Sequence, residues 1–168
     1  MLEVLHQVER DLPQLLEDKE WWNSLDVDYH PPRVERLWRQ HGEYRIYLHR
    51  IHPCKPGEAL FHPHPWPSAM KVLRGGNYEM AVGFGSGETP PPVAASMILG
   101  PGSEYEMTHP DSWHYVRPID EPAITLMIAG KPWNRISPKS DGPLKPLPDY
   151  QKNDLLFTFK SYYQPARK

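Results

Sequence analysis

Apolar positions recur with two different periods along this chain. Leu2, Leu5, Val8, Leu12, Leu15 and Leu16 follow the three-and-four spacing of an amphipathic helix. Pro13 falls inside that run, so the expectation is two short helices, with Asp11 able to cap the second. Trp21 and Trp22 would then seat this helical unit on the body. From Val34 the period changes to two, the spacing of a strand with one buried face. Val34 to Gln40 and Glu43 to Ile51 are alternating runs joined at His41-Gly42, a turn-like pair. Further strands are expected at Ala69 to Arg74, Tyr78 to Phe84, Ala95 to Leu99, Ser103 to Thr108, His114 to Arg117 and Ala123 to Gly130. Turn signals such as Gly75-Gly76-Asn77, Gly85-Ser86-Gly87 and Gly100-Pro101-Gly102 separate them. Short strands at this spacing predict a mostly all-β sandwich or barrel.

The pattern fades after the last strand. Residues 131 to 150 carry prolines at 132, 138, 143, 146 and 148 and read as an ordered wrapping arm. Asp154 to Tyr163 is aromatic and apolar, either a late strand or a short helix packed on the barrel. Pro90-Pro91-Pro92 makes a rigid connection within the strand set. The expected organisation is a helical N-terminal extension over 1–28, a β-barrel core over 29–131, and a proline-rich arm over 132–168.

Composition narrows the class. At 168 residues, 39% hydrophobic and 24% charged, the chain has the balance of one soluble globular domain. It holds 21 prolines, where usual usage of about 5% would give roughly 8. That excess limits helix and favours short strands and turns. A net charge of -2 gives no electrostatic footprint for nucleic acid or an anionic membrane. No apolar run reaches the roughly 18 residues of a spanning helix, and Met1 to Arg10 lacks the apolar stretch of a secretory signal. Cys54 is the sole cysteine, so no internal disulfide forms. A cytoplasmic protein is the expectation.

The candidate chemistry lies in His62-Pro63-His64-Pro65-Trp66-Pro67. In an extended segment, residues two apart project to the same face, so His62 and His64 can converge on one point. Two neutral imidazoles there make a start on a transition-metal site. The competing readings are a proline-rich surface loop with incidental histidines, or a polyproline II segment that splays the two rings apart. The interleaved prolines also keep the segment from being a central strand paired on both edges.

Flanking spacing carries a family likeness. Gly57 precedes His62-Pro63-His64, and Val72-Leu73-Arg74-Gly75 follows. A second stretch has Gly100-Pro101-Gly102 and then His109-Pro110-Asp111-Ser112-Trp113-His114. Together these resemble the two motifs of the cupin superfamily, over about residues 50 to 130. The resemblance implies a double-stranded β-helix barrel with a mononuclear metal centre, and it makes His114 the third metal ligand beside His62 and His64. The family's glutamate ligand is replaced by Ser68, or by Ala69 at the longer spacing. A three-histidine centre is similar to those of thiol and diketone-cleaving dioxygenases. It implies Fe(II), with Zn, Ni, Mn or Cu as other metals, and dioxygen and a small organic molecule as partners. The region Trp66 to Met70 lacks the cysteine often found in cysteine-oxidising relatives, which weakens that substrate reading.

The leading expectation is therefore a metal-dependent oxygenase. A cupin lyase or isomerase, and a metal-bearing sensor without turnover, are the alternatives. Tyr78, His109 and Arg45 are the candidate catalytic helpers, chosen from a polar set that includes Tyr44, Tyr47, Glu79 and Tyr105. His109 also competes for the ligand position of His114, and Glu79 is a second substitute ligand. A homodimer through edge strands or the terminal segments is the expected assembly.

Overall fold

The computed structural model describes residues 1–135 and 137–163 of the chain. It contains helix α1 (Leu2–Leu15), strands β1 (Asn23–Val27), β2 (Val34–His41), β3 (Tyr44–Ile51), β4 (His62–Pro63), β5 (Ser68–Arg74), β6 (Tyr78–Phe84), β7 (Ala95–Leu99), β8 (Glu104–Met107), β9 (Ser112–Pro118) and β10 (Ala123–Ala129), and helix α2 (Asp149–Tyr163). All strand pairs are antiparallel. Six strands form one sheet in the order β1-β2-β3-β10-β5-β8, and four form a second in the order β4-β9-β6-β7.

Strand alternation creates two cores. On the six-stranded sheet, Leu37, Ile46, Leu48, Leu73, Leu126 and Ile128 point outward, under Leu5, Val8 and Leu12 of α1 and Leu155 and Phe159 of α2. The opposite side chains of the same strands, among them Tyr47, Ile51, Met70, Val72 and Met127, face the second sheet and meet Tyr78, Met80 and Val116. β10 is buried at all seven positions because both of its faces are covered. That explains the run Ala123-Ile124-Thr125-Leu126-Met127-Ile128-Ala129, apolar at every position but Thr125.

The N-terminal unit differs from the expectation. It holds one helix, not two: Pro13 lies in the last turn of α1, where its missing N–H removes a single bond of the ladder and the helix ends two residues later. Leu16 then caps the helix end. Asn23–Val27, expected within the helical extension, is instead a strand paired with β2. The buried Arg39 side chain lies beneath α1, donating to the Leu15 carbonyl and stacking on Trp21 at 3.3 Å. In the C-terminal arm, Asp154 to Tyr163 falls within α2 and is helical. Residue 136 and residues 164–168 of the expected arm lie outside the described residues. Neither helix is long and apolar enough to cross a membrane.

Gly75 closes the turn between β5 and β6 with a φ of +119°, a backbone state that a side chain disfavours. A Cβ there would sit 2.9 Å from the Ala123 Cα and the Pro122 carbonyl oxygen. The glycine in the first motif is therefore required by the close approach of two strand ends.

Candidate metal centre

His62 and His64 come from a crossing between the two sheets. β4 holds only His62 and Pro63 and is an edge strand, the place in a sheet where proline is tolerated. It pairs with β9 so that His62 lies opposite His114, with Val82 of β6 on the other side of His114. The chain then leaves this sheet through His64-Pro65-Trp66-Pro67 and enters the other at Ser68. Backbone bonds brace the crossing: Gly130 N–H donates to the Pro67 carbonyl at 2.8 Å, and Trp133 N–H to the Pro65 carbonyl at 3.0 Å. The Trp133 indole donates to the His64 carbonyl at 3.1 Å.

The structure brings the three histidines together. One nitrogen from each of His62, His64 and His114 lies within 4.8 Å of the others. The Nε2 atoms of His64 and His114 are 3.0 Å apart. Two bonds of about 2.0–2.1 Å to one ion, at ordinary coordination angles, place two nitrogens roughly 3 Å apart. The far ring nitrogens of two of these residues are held by protein. His62 Nδ1 donates to the Leu60 carbonyl at 2.8 Å, which leaves its Nε2 as a lone-pair donor. His64 Nδ1 lies 2.9 Å from the buried Ser68 hydroxyl. His114 Nδ1 is buried without a hydrogen-bond partner, so the ring's polar contact is its Nε2 approach to His64.

Burial pushes the His62 imidazole down to about 4. Burial first, and then the neighbouring histidines, hold His64 and His114 well below their ordinary value. All three rings are neutral at physiological pH, the state that ligates a cation. Ser68 touches the far side of the His64 ring, so among the described residues the cluster consists of imidazoles alone.

The cluster forms one wall of a cavity of about 170 Å³. Val34, Met70, Val116 and Met127 give it apolar walls, and Ser137, Pro138 and Leu144 of the arm contribute to its rim. Tyr29 donates to the Pro138 carbonyl at 3.3 Å, joining the arm to the opposite side. Trp66 lines the cavity, its ring 6.2 Å from that of His64.

The other predicted residues lie elsewhere. His109 sits in an exposed turn, where its Nδ1 accepts the Asp111 N–H at 3.2 Å and its ring packs on Phe84. It does not line the cavity and does not replace His114. Arg45 lies over Trp38 and donates to the Tyr47 hydroxyl at 3.2 Å, in a separate cleft by Gly130 and Pro132. Tyr78 is fully buried behind the cavity wall, its hydroxyl 3.4 Å from that of Tyr105 and 3.5 Å from the Met70 sulfur. Tyr105 reaches closer, with its ring centroid 6.0 Å from that of His114. Glu79 accepts from the Tyr115 hydroxyl at 2.6 Å and from the Arg117 Nε at 2.8 Å, which excludes it from the cluster. Tyr29, His30, Arg36, His49 and Ser137 are polar cavity residues outside the predicted site.

No family model matches the chain, and no curated protein matches it by sequence. Solved structures do match in shape. Hydroxypropylphosphonic acid epoxidase from S. wedmorenis superposes with a TM-score of 0.51 at 16% identity, over 66% of this chain and 56% of that one. A structure of Fe(II) HppE gives the same score and identity over 66% and 57%. A third, Fe(II)-HppE with the alternative substrate (S)-1-HPP, has a TM-score of 0.50 at 15% identity over the same shares. The fold is cupin-like. The chain spans 56–57% of the length of these solved structures, and at this identity the likeness is one of fold.

Proposed function

We propose that the protein is a metal-dependent enzyme acting on a small organic molecule, a mononuclear non-haem Fe(II) dioxygenase whose metal is held by His62, His64 and His114. The observation that carries this reading is the cluster itself: three neutral imidazoles, His64 and His114 buried and His62 half-buried, with no carboxylate among them, set in the wall of a cavity. The donor set suits a borderline transition metal such as Fe(II), Zn(II) or Co(II) better than Mg(II) or Ca(II), which favour oxygen. When bound to three histidines, the ion supplies Lewis acidity and redox capacity with coordination positions left for other molecules.

The chain's own residues supply the rest. The Leu60 carbonyl fixes the His62 tautomer, and Ser68 holds His64 by its far nitrogen. Met70, Val116 and Met127 keep the cavity apolar, which strengthens electrostatic contacts inside it. Tyr78 is placed to support the wall through Met70 and Tyr105. His109 and Arg45 have no placement that reaches a substrate in this cavity.

Metal analysis of protein purified without added metal, followed by oxygen-electrode assays across small organic compounds, tests the reading. The expected result is near-stoichiometric transition metal and dioxygen uptake that chelation abolishes. The double variant His62→Ala, His64→Ala retaining as much metal as wild type would sink the ligand assignment. Metal-dependent turnover without dioxygen would replace the oxygenase with a lyase or isomerase.

A further inference from the structure

The cavity beside the histidines holds a permanent positive charge with no negative partner. Arg36 lies on β2, with Leu25 of β1 on one side and His49 of β3 on the other. Its Nε donates to His49 Nε2 at 3.0 Å, and its guanidinium lies 4.9 Å from the centroid of the Tyr47 ring. Accepting at Nε2 puts the His49 proton on Nδ1, which faces the Thr125 hydroxyl at 3.3 Å. Thr125 is the partner of His49 in β10. Thr125, His49 and Arg36 thus form a hydrogen-bonded row across three strands that fixes the Nε edge of the guanidinium.

The other edge is unused. Neither terminal nitrogen of Arg36 has a hydrogen-bond or ion-pair partner among the described residues. Arg33, Arg50 and Arg117 by contrast each pair with a carboxylate. The cavity lining contains no aspartate or glutamate. Burial lowers the pKa of Arg36, yet a guanidinium keeps its proton in protein surroundings. A charge withdrawn from water without a counter-ion is costly, so a preorganised one facing a cavity is suited to receive an anion.

We propose that Arg36 binds the carboxylate of a small organic acid, the substrate class of the cavity that the three histidines share. This rests on the metal-centre reading for the acid's role as substrate. Charge and shape select the anion. One guanidinium balances a monoanion, and its planar fork matches the two oxygens of a carboxylate. Among the described residues Arg36 is the one lysine or arginine in the cavity lining, so a phosphate dianion would depend on the metal ion to balance its second charge. The cavity, about 170 Å³, equals the liquid volume of roughly six waters, and its apolar walls suit a short carbon chain.

Calorimetric titration with lactate, a carboxylate bearing a second donor oxygen, tests this on the protein as purified and again after chelation. Propane-1,2-diol serves as the neutral counterpart and inorganic phosphate as the other anion, with metal content measured separately on every sample. Lactate affinity should fall at least about ten-fold in Arg36→Gln, the scale of one charge-assisted bidentate contact. Arg36→Lys, which keeps the charge but loses the fork, should lose at least about three-fold, and it carries the test if the glutamine variant does not fold. The diol should bind the wild type and the variants alike, and phosphate should bind more weakly than lactate. Equal lactate affinity in wild type and variants overturns the inference, as does phosphate binding more tightly than lactate. Arg36-dependent lactate binding in protein that holds no transition metal as purified and takes up none on addition of Fe(II) supports the anion site while removing the metal reading.

Discussion

The Nε2 atoms of His64 and His114 lie 3.0 Å apart although 50 residues separate them in the chain. Two imidazole nitrogens this close share either one proton or one cation. The cation case makes metal a stabilising ligand of the folded state. Chelation should lower Tm and re-addition of Fe(II) or Co(II) should restore it, with a difference of about 2.7 kcal/mol when free metal is a hundred times Kd. His64→Ala should abolish that difference. Thermal scans with and without chelator check this, and a Tm that ignores metal in the wild type contradicts the shared cation.

Ser68 should matter to metal affinity without touching the metal. Its hydroxyl is the polar contact of His64 Nδ1, and both groups are buried. Ser68→Ala should weaken metal binding about 10–100-fold, the usual scale for losing the partner of a ligand histidine. Competition with a chromogenic chelator measures it. Ser68→Thr, which keeps the hydroxyl, should recover most of the loss if the added methyl is accommodated.

Glu79 gives the fold an acid-sensitive tie. The Tyr115 hydroxyl and then the Arg117 guanidinium hold its carboxyl below the ordinary carboxylate value. Folding therefore favours the charged form, and this contribution is complete above the ordinary value of 4.5 and lost as pH falls through the lower folded value. Glu79→Gln should cost about 1 kcal/mol at pH 7, allowing for screening of a partly exposed group. Urea denaturation at pH 7 and pH 3.5 should show the gap between wild type and variant narrowing in acid. A gap that widens in acid would contradict this assignment.

Gly75→Ala should destabilise the protein by about 1–3 kcal/mol, the range for a side chain forced into a disfavoured backbone state. The neighbouring atoms at 2.9 Å belong largely to the backbone of Pro122 and Ala123 and have little room to retreat. Denaturant titration provides the value. Gly42→Ala, also at positive φ but with open space around it, should cost less.

Eight of the ten described strands follow from the alternation that begins at Val34, two of them, Tyr78–Phe84 and Ala95–Leu99, to the residue. The two that escape are explained by their edges. Asn23–Val27 borders its sheet and carries Asn23, Ser24 and Asp26, so its apolar signal is only Leu25 and Val27. His62–Pro63 is too short to show a period. The histidine cluster is visible in the sequence because its i, i+2 pair is local and the resemblance to the second cupin motif implies His114. Arg36 is not. On β2 the residues Val34, Arg36 and Trp38 alternate with Glu35, Leu37 and Arg39, so each face mixes apolar and charged side chains and an arginine stands on both. Only the packing of α1 and α2 on the outer face decides which arginine enters the barrel. Arg45 shares the inward register of Tyr47 and His49 but lies too near the strand's start, which puts it in the neighbouring cleft.

The double burial of β10 separates two properties at adjacent positions. Leu126 packs beneath the helices, whereas Met127 borders the ligand cavity. Trimming Leu126 would loosen the helical cover and leave the binding space its shape. Reshaping Met127 would recontour that space beneath an intact cover. Thermal tolerance and ligand preference can therefore drift independently through neighbouring codons of a strand that has no solvent-facing side.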